Sequence, residues 1–171
     1  NVVDVVKEVS IKEPITYNDK KNNKKVVVID CGIKNNIIRN LIKRDLTVIR
    51  VPYNYDFLTQ LFDGSENLRF SEPRKTKFFD GLVISNGPGD PKMCAKTIYN
   101  VGRALKHSIP TFGICLGNQI MALAAGADTY KLKFGHRAQN QPCNVIGTQT
   151  TYITSQNHGF AVDEKTLPSD W

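Results

Sequence analysis

Long hydrophobic runs are missing from this chain: no stretch approaches the roughly 20 apolar residues that a membrane-spanning helix needs. No secretory leader opens it, because Asp4, Lys7 and Glu8 interrupt the first apolar residues. Cysteine is sparse. The four thiols, at positions 31, 94, 115 and 143, form no Cys-x-x-Cys pair and no Cys/His cluster at zinc spacing. That argues against a zinc site or a disulfide framework. Reduced, unbridged thiols fit an intracellular chain, and a cytoplasmic location is expected. Cys31, Cys94 and Cys143 read as packing residues. Acidic residues are the minority charge, 16 Asp+Glu against 23 Lys+Arg, for a net charge of +7. A basic balance raises nucleic-acid binding. The cations, however, are scattered or lie in apparent surface loops such as Lys20–Lys25 and Arg74–Lys77, and no recognition-helix, zinc-finger or RNA-binding signature accompanies them. Neither a nucleic acid nor a membrane is expected as a partner.

What is present is the alternation of an α/β domain. The 171 residues suit one such unit. Opening on Asn1 rather than Met, the chain reads as a piece of something longer. Residues 1–25, with Pro14, Asn18, Asp19 and a lysine-asparagine run, read as a connector from a preceding domain. The domain proper spans 26–171. Val26–Asp30 is a short β-branched run of the kind found in central parallel strands, whose faces are both covered. Ile37, Ile38, Leu41 and Ile42 recur at helical spacing within Asn35–Arg44. Further strands are expected at Thr47–Val51, Gly81–Ser85 and Pro110–Ile114, and helices at Thr97–Leu105 and Asn118–Ala125, the latter ended by Gly126. The expected fold class is therefore α/β, a doubly wound, mostly parallel sheet flanked by helices. From Lys131 the pattern shifts to short β-like pieces, Thr151–Thr154 and Phe160–Val162, which suggest a small antiparallel addition. Asp63–Phe78 reads as a long surface loop or insert.

One stretch carries chemistry by itself. Pro110–Gln119 reads as a buried strand, a sharp turn with Cys115 at its tip, and a helix. Gly-x-Cys-x-Gly is the cysteine counterpart of the serine nucleophile elbow. Gly113 and Gly117 leave room for a tight turn, and the opening helix aims free N–H groups at the sulfur, which favours the thiolate. A plain buried cysteine at a strand-to-helix junction is the competing explanation. Ser85–Pro91 follows another strand, and sites in open α/β sheets lie beyond strand carboxyl ends. The two loops can therefore meet, with the Gly87-Pro88-Gly89 turn leaving N–H groups for an oxyanion. In Ser155–Phe160, amide side chains can hold amino and carboxylate groups. His158 there is a tempting general base, although ordering the loop is the role favoured for it. His107 suits a helix end, and His136 fits either a structural or a functional role.

Together these segments resemble the class I (triad-type) glutamine amidotransferases, and within them the glutaminase domain of carbamoyl-phosphate synthetase. The resemblance rests on Asp30–Asn36, Ser85–Pro91, Phe112–Gln119, Leu123–Ala127, Asn140–Cys143 and Thr154–Asp163, in order and at matching spacing. It implies that Cys115 attacks the side-chain amide of L-glutamine, and that the backbones of Gly87 and Leu116 hold the oxyanion in the loop that includes Gly89. Gln119, Asn157, Gly159 and Phe160 would hold the α-amino and α-carboxylate ends. A glutamyl thioester and ammonia would result. The ammonia would go to a synthetase domain or subunit, fused or separate, to form carbamoyl phosphate from bicarbonate and ATP. Neither metal nor cofactor is implied for this domain; ATP and Mg belong to the synthetase partner. The resemblance favours pyrimidine synthesis as the pathway and leaves arginine or urea synthesis open.

The chain departs from that pattern twice. The family's base and its carboxylate lie in a His-Pro-Glu segment downstream of the Gln156-Asn157-His158-Gly159 motif, and the 171 residues contain none. A domain incomplete at its C-terminus, inactive as a fragment, is the expectation. Asn118 stands where glutamine-hydrolysing members often have His. Two other readings stay open: another triad amidotransferase serving guanylate, anthranilate or cytidine-nucleotide synthesis, and a non-catalytic regulatory or docking domain.

Overall fold

A computed structural model describes residues 4–20, 24–61, 79–169 and 171. The expected loop at Asp63–Phe78 lies outside them. Five strands form one sheet in the order β1-β3-β2-β4-β5: β1 (Ile15–Tyr17), β2 (Lys25–Asp30), β3 (Thr47–Pro52), β4 (Gly81–Ile84) and β5 (Thr111–Gly113). The pairs β2/β3, β2/β4 and β4/β5 are parallel, as the apolar runs required, and β1 adds antiparallel to the outer edge of β3. The helices are α1 (Val5–Val9), α2 (Asn35–Ile42), α3 (Phe57–Leu61), α4 (Ala95–Lys106) and α5 (Leu116–Ala125). The α/β expectation is met.

Strand alternation divides the core into two layers. Val27, Ile29, Ile49, Val51, Leu82 and Ile84 face α1, α3, α4 and α5, meeting Val6, Phe57, Val101, Leu116 and Ile120. Val28, Val48 and Val83 face the other way, against Ile38 of α2. Because β2 is buried on both faces it reads as a continuous apolar run. The chain leaves β2 through α2 to β3 on one side, and β4 then pairs on the other side of β2. This reversal opens a crevice beyond the carboxyl ends of β2 and β4, where ligands bind in folds of this type.

Three elements differ from the sequence expectation. The strand before Cys115 is not interior: β5 is a sheet edge and Phe112 is 64% exposed. The antiparallel addition is not small. It is a two-stranded ribbon of 17-residue β6 (Asp128–Asn144) and 13-residue β7 (Thr151–Asp163), whose polar, mostly exposed sequence disguised its length. Finally, residues 4–17 carry α1 and β1, docked on the sheet, with Val6 buried.

Asp30, at the end of β2, is the polar anchor of this layer. It is fully buried, accepts the N–H groups of Ile11, Gly32 and Ile33 at 2.8–2.9 Å, and is bridged by Arg50 at 2.7 Å. Burial alone would raise its pKa. The three N–H donors and the guanidinium outweigh burial and hold it below the ordinary 3.8. A carboxylate depressed in the folded state stabilises the fold above its unfolded pKa, and that contribution is lost as pH falls through the folded value. Urea midpoints of the natural protein should therefore drop as pH falls below about 4. Asp30→Asn should flatten that part of the profile, and Asp30→Ala should cost about 3 kcal/mol at neutral pH, because the half-buried Arg50 loses its carboxylate and the three main-chain N–H groups lose their acceptor.

Candidate active site

Three loop ends converge beyond the strands. A side chain at Gly87 would collide with the Cys31 carbonyl and with Leu116, and one at Gly117 would collide with the Ile84 carbonyl. A Cβ at Gly113 would lie 2.5 Å from the Asn118 nitrogen. The main chain after β4 is thus pressed against the end of β2, and the start of α5 against the end of β4. Only glycine permits that approach.

Cys115 sits at the junction in a conformation that L-residues rarely adopt, φ 54° and ψ −107°. Such a backbone persists only where the surroundings enforce it, and it clusters at functional sites. Here the enforcing contacts are the Asn118 and Gln119 N–H groups, both returning to the Cys115 carbonyl, and the Gly117 N–H bonding Ile114. The result is a thiol exposed at the mouth of the turn. Two N–H groups beside it, those of Gly87 and Leu116, have no hydrogen-bond partner among the described residues. Leu116 is the first residue of α5, so its N–H has no acceptor within the helix.

The ribbon closes the other side. Register breaks between Lys131 and His136 and between Ala138 and Gln141 mark irregularities that bend such ladders. Gln119 Nε2 donates to the Phe160 carbonyl at 2.6 Å, tying α5 to β7. The same carbonyl accepts His158 Nδ1–H at 2.7 Å, which places the proton on Nδ1. His158 Nε2 lies 2.8 Å from Gln156 Oε1 and 3.3 Å from His136 Nδ1. Both ring nitrogens thus face groups of the ribbon, Nδ1 the Phe160 carbonyl and Nε2 the Gln156 amide and the His136 ring. No other histidine lines the site among the described residues.

The cleft between these elements measures about 550 Å³. All eight residues singled out from the sequence line it: Gly87, Gly89, Cys115, Leu116, Gln119, Asn157, Gly159 and Phe160. So do Lys34, Asn86, Arg137 and Ser155, which were not proposed as site residues. Asn86 and Ser155 stood inside the quoted motifs and were passed over; Arg137 sits in an irregular strand and carried no signal. Among the described residues the charged lining of the cavity is Lys34 and Arg137, with no carboxylate. No group of three or more His, Cys, Asp or Glu that could hold a metal occurs among the described residues.

The profile of the family "Glutamine amidotransferase class-I" matches residues 27–171. The chain belongs to the class-I glutamine amidotransferases. It is 52% identical over 169 residues to the multifunctional protein CAD of Squalus acanthias, covering 98% of this chain and 7% of that protein. It is 45% identical over 170 residues to the carbamoyl phosphate synthase arginine-specific small chain of Chaetomium globosum, covering 99% of this chain and 34% of the relative. The chain thus spans about a third or less of the curated relatives it matches. A glutamine amidotransferase of Thermotoga maritima shares the fold, with a TM-score of 0.56 at 17% identity over 86% of this chain and 64% of that one.

The other thiols of this amidotransferase domain separate cleanly. Cys31 and Cys94 are buried, and burial, with nearby acidic groups adding to it, pushes the Cys31 thiol well up and the Cys94 thiol to about 12. Cys143, expected in packing, is instead exposed on the ribbon, where Gln156 Nε2 lies 3.1 Å from its sulfur. A non-selective alkylating reagent should therefore modify Cys115 and Cys143 and spare the other two. An electrophilic glutamine analogue should modify Cys115 alone, as read by peptide mass mapping. Cys115→Gly should match or exceed the natural protein in stability by about 1 kcal/mol in urea titration, because glycine relieves the strained backbone.

Proposed function

We propose that this domain hydrolyses L-glutamine through a thioester on Cys115 and supplies ammonia for carbamoyl phosphate synthesis. The observation that carries this is the exposed, backbone-strained thiol beside two unpaired main-chain N–H groups in one cavity. In this reading the deprotonated sulfur attacks the side-chain amide carbon, and the carbonyl π electrons move onto oxygen. That oxygen is received by the N–H groups of Gly87 and Leu116. Such a donor is aimed at charge that exists only in the transition state, and each is worth roughly 2.7–4 kcal/mol. Collapse of the intermediate re-forms the carbonyl as the protonated amine leaves as ammonia. Water then cleaves the thioester to give glutamate. In this reading His158 orders the ribbon through its Nδ1 bond to the Phe160 carbonyl, and another residue shuttles these protons.

The α-amino and α-carboxylate groups fall to Gln119, Asn157 and the main chain of Gly159 and Phe160, which line the far wall. Among the described residues no carboxylate lines the cavity to repel the substrate's own. The similarity to synthase small chains and to CAD supports a synthetase domain or subunit as the acceptor of ammonia, with ATP and Mg used there, and a cytoplasmic setting. The chemistry assigned to these residues calls for no cofactor.

In the complete protein, Cys115→Ser should lower glutamine-dependent carbamoyl phosphate formation at least about a thousandfold, since the nucleophile is removed. Synthesis from added ammonium should remain within about twofold. Loss of both activities would mean that no separate glutaminase centre exists here.

A further inference from the structure

Of the two oxyanion donors, Leu116 is fixed by its helix, whereas Gly87 lies in a glycine-proline-glycine stretch with no secondary structure. Gly89 adopts φ 88°, and Pro88 and Gly89 are exposed. Gly87 packs against the Cys31 carbonyl, but the main chain of Gly87, Pro88 and Gly89 makes no hydrogen bond among the described residues. The hydrogen bonds that hold it come from the residue before it. Asn86 Oδ1 accepts the Lys34 N–H at 3.1 Å, and Asn86 Nδ2 donates to the Gly32 carbonyl at 3.2 Å. An N–H can only donate and a carbonyl only accept, so these two partners fix the orientation of the amide. The Asn86 main chain is pinned as well: its carbonyl accepts the Ser85 hydroxyl at 2.7 Å, and that hydroxyl accepts the Cys31 N–H at 2.9 Å. Gly32 and Ile33 are themselves held by the buried Asp30.

We infer that Asn86 is a positioning residue for glutamine hydrolysis: its side-chain amide clamps the loop carrying the Gly87 donor to the rigid turn after β2. The inference rests on the proposed oxyanion role of Gly87. A clamp of this kind does not touch the ground-state amide. It preorganises a donor whose full bond forms in the transition state, so its loss lowers kcat and leaves glutamine binding nearly unchanged. Asp at this position keeps the acceptor for Lys34 but loses the donor and sets a carboxylate against the Gly32 carbonyl. Ala loses both bonds.

The test uses the complete protein with its synthetase part, comparing Asn86→Ala, Asn86→Asp and Cys115→Ser. The probe is a glutamine analogue bearing an aldehyde in place of the carboxamide. Cys115 adds to it, and the hemithioacetal oxygen takes the oxyanion position. For Asn86→Ala, kcat for glutamine should fall about tenfold to a hundredfold and the aldehyde should bind at least about tenfold more weakly, while KM stays within about threefold. Asn86→Asp should fall between Ala and the natural residue, and it carries the comparison if the Ala variant does not fold. Unchanged kcat and aldehyde affinity would overturn the clamp. So would a parallel rise in KM and in aldehyde dissociation, the mark of a general loss of structure. If Cys115→Ser retains glutamine-dependent activity, the functional reading fails first, and the clamp falls with it.

Discussion

The site depends on how closely three main chains approach one another at the carboxyl ends of β2, β4 and β5. The Gly87 backbone meets the Cys31 carbonyl, and the Gly117 backbone meets the Ile84 carbonyl, with no space for a methyl group at either contact. Once these contacts form, the turn between β5 and α5 has little freedom, and Cys115 must take a conformation that an L-residue otherwise avoids. The strain is local. The packing that enforces it is not, since it draws on Leu116 and Ile120 buried against the same face as Ile29 and Ile84.

Polar groups follow the same logic. Asp30 is buried at the end of β2, where donors from four residues converge on it, and this turns the start of the β2–α2 loop into a rigid platform. The glycine loop leans on that platform through Asn86, and the ribbon leans on α5 through Gln119 and the Phe160 carbonyl. Among the described residues, the cavity between them is walled by open N–H groups, Lys34 and Arg137, and by no carboxylate. A cavity with that lining is suited to receiving negative charge.

Much of this could be read from the chain itself. The runs at Val26–Asp30, Thr47–Val51 and Gly81–Ser85 became parallel strands within a residue or so, because apolar, β-branched segments have few other places to go. The helix ended by Gly126 also matched, its cap in the left-handed region. The ribbon was read poorly. Segments such as Tyr130–Gln139 and Thr151–Ser155 are largely exposed, so burial imposes no alternation on them, and the strand period is erased. For the same reason Cys143 was misplaced, and the edge position of β5 was invisible: strand order leaves no mark on the strand's own residues.

The sequence alone determined the class of fold, the turn with Cys115 at its tip and the glycines around it, because each is a local demand that particular residue types meet within a few positions. Tertiary structure alone decided that Lys34, Asn86 and Arg137 join Cys115 in one cavity, that His158 Nδ1 is spent on the Phe160 carbonyl within the ribbon, and that α1 and β1 dock on the sheet. Those outcomes arise from contacts between segments tens of residues apart, and the composition or spacing of either segment does not contain them.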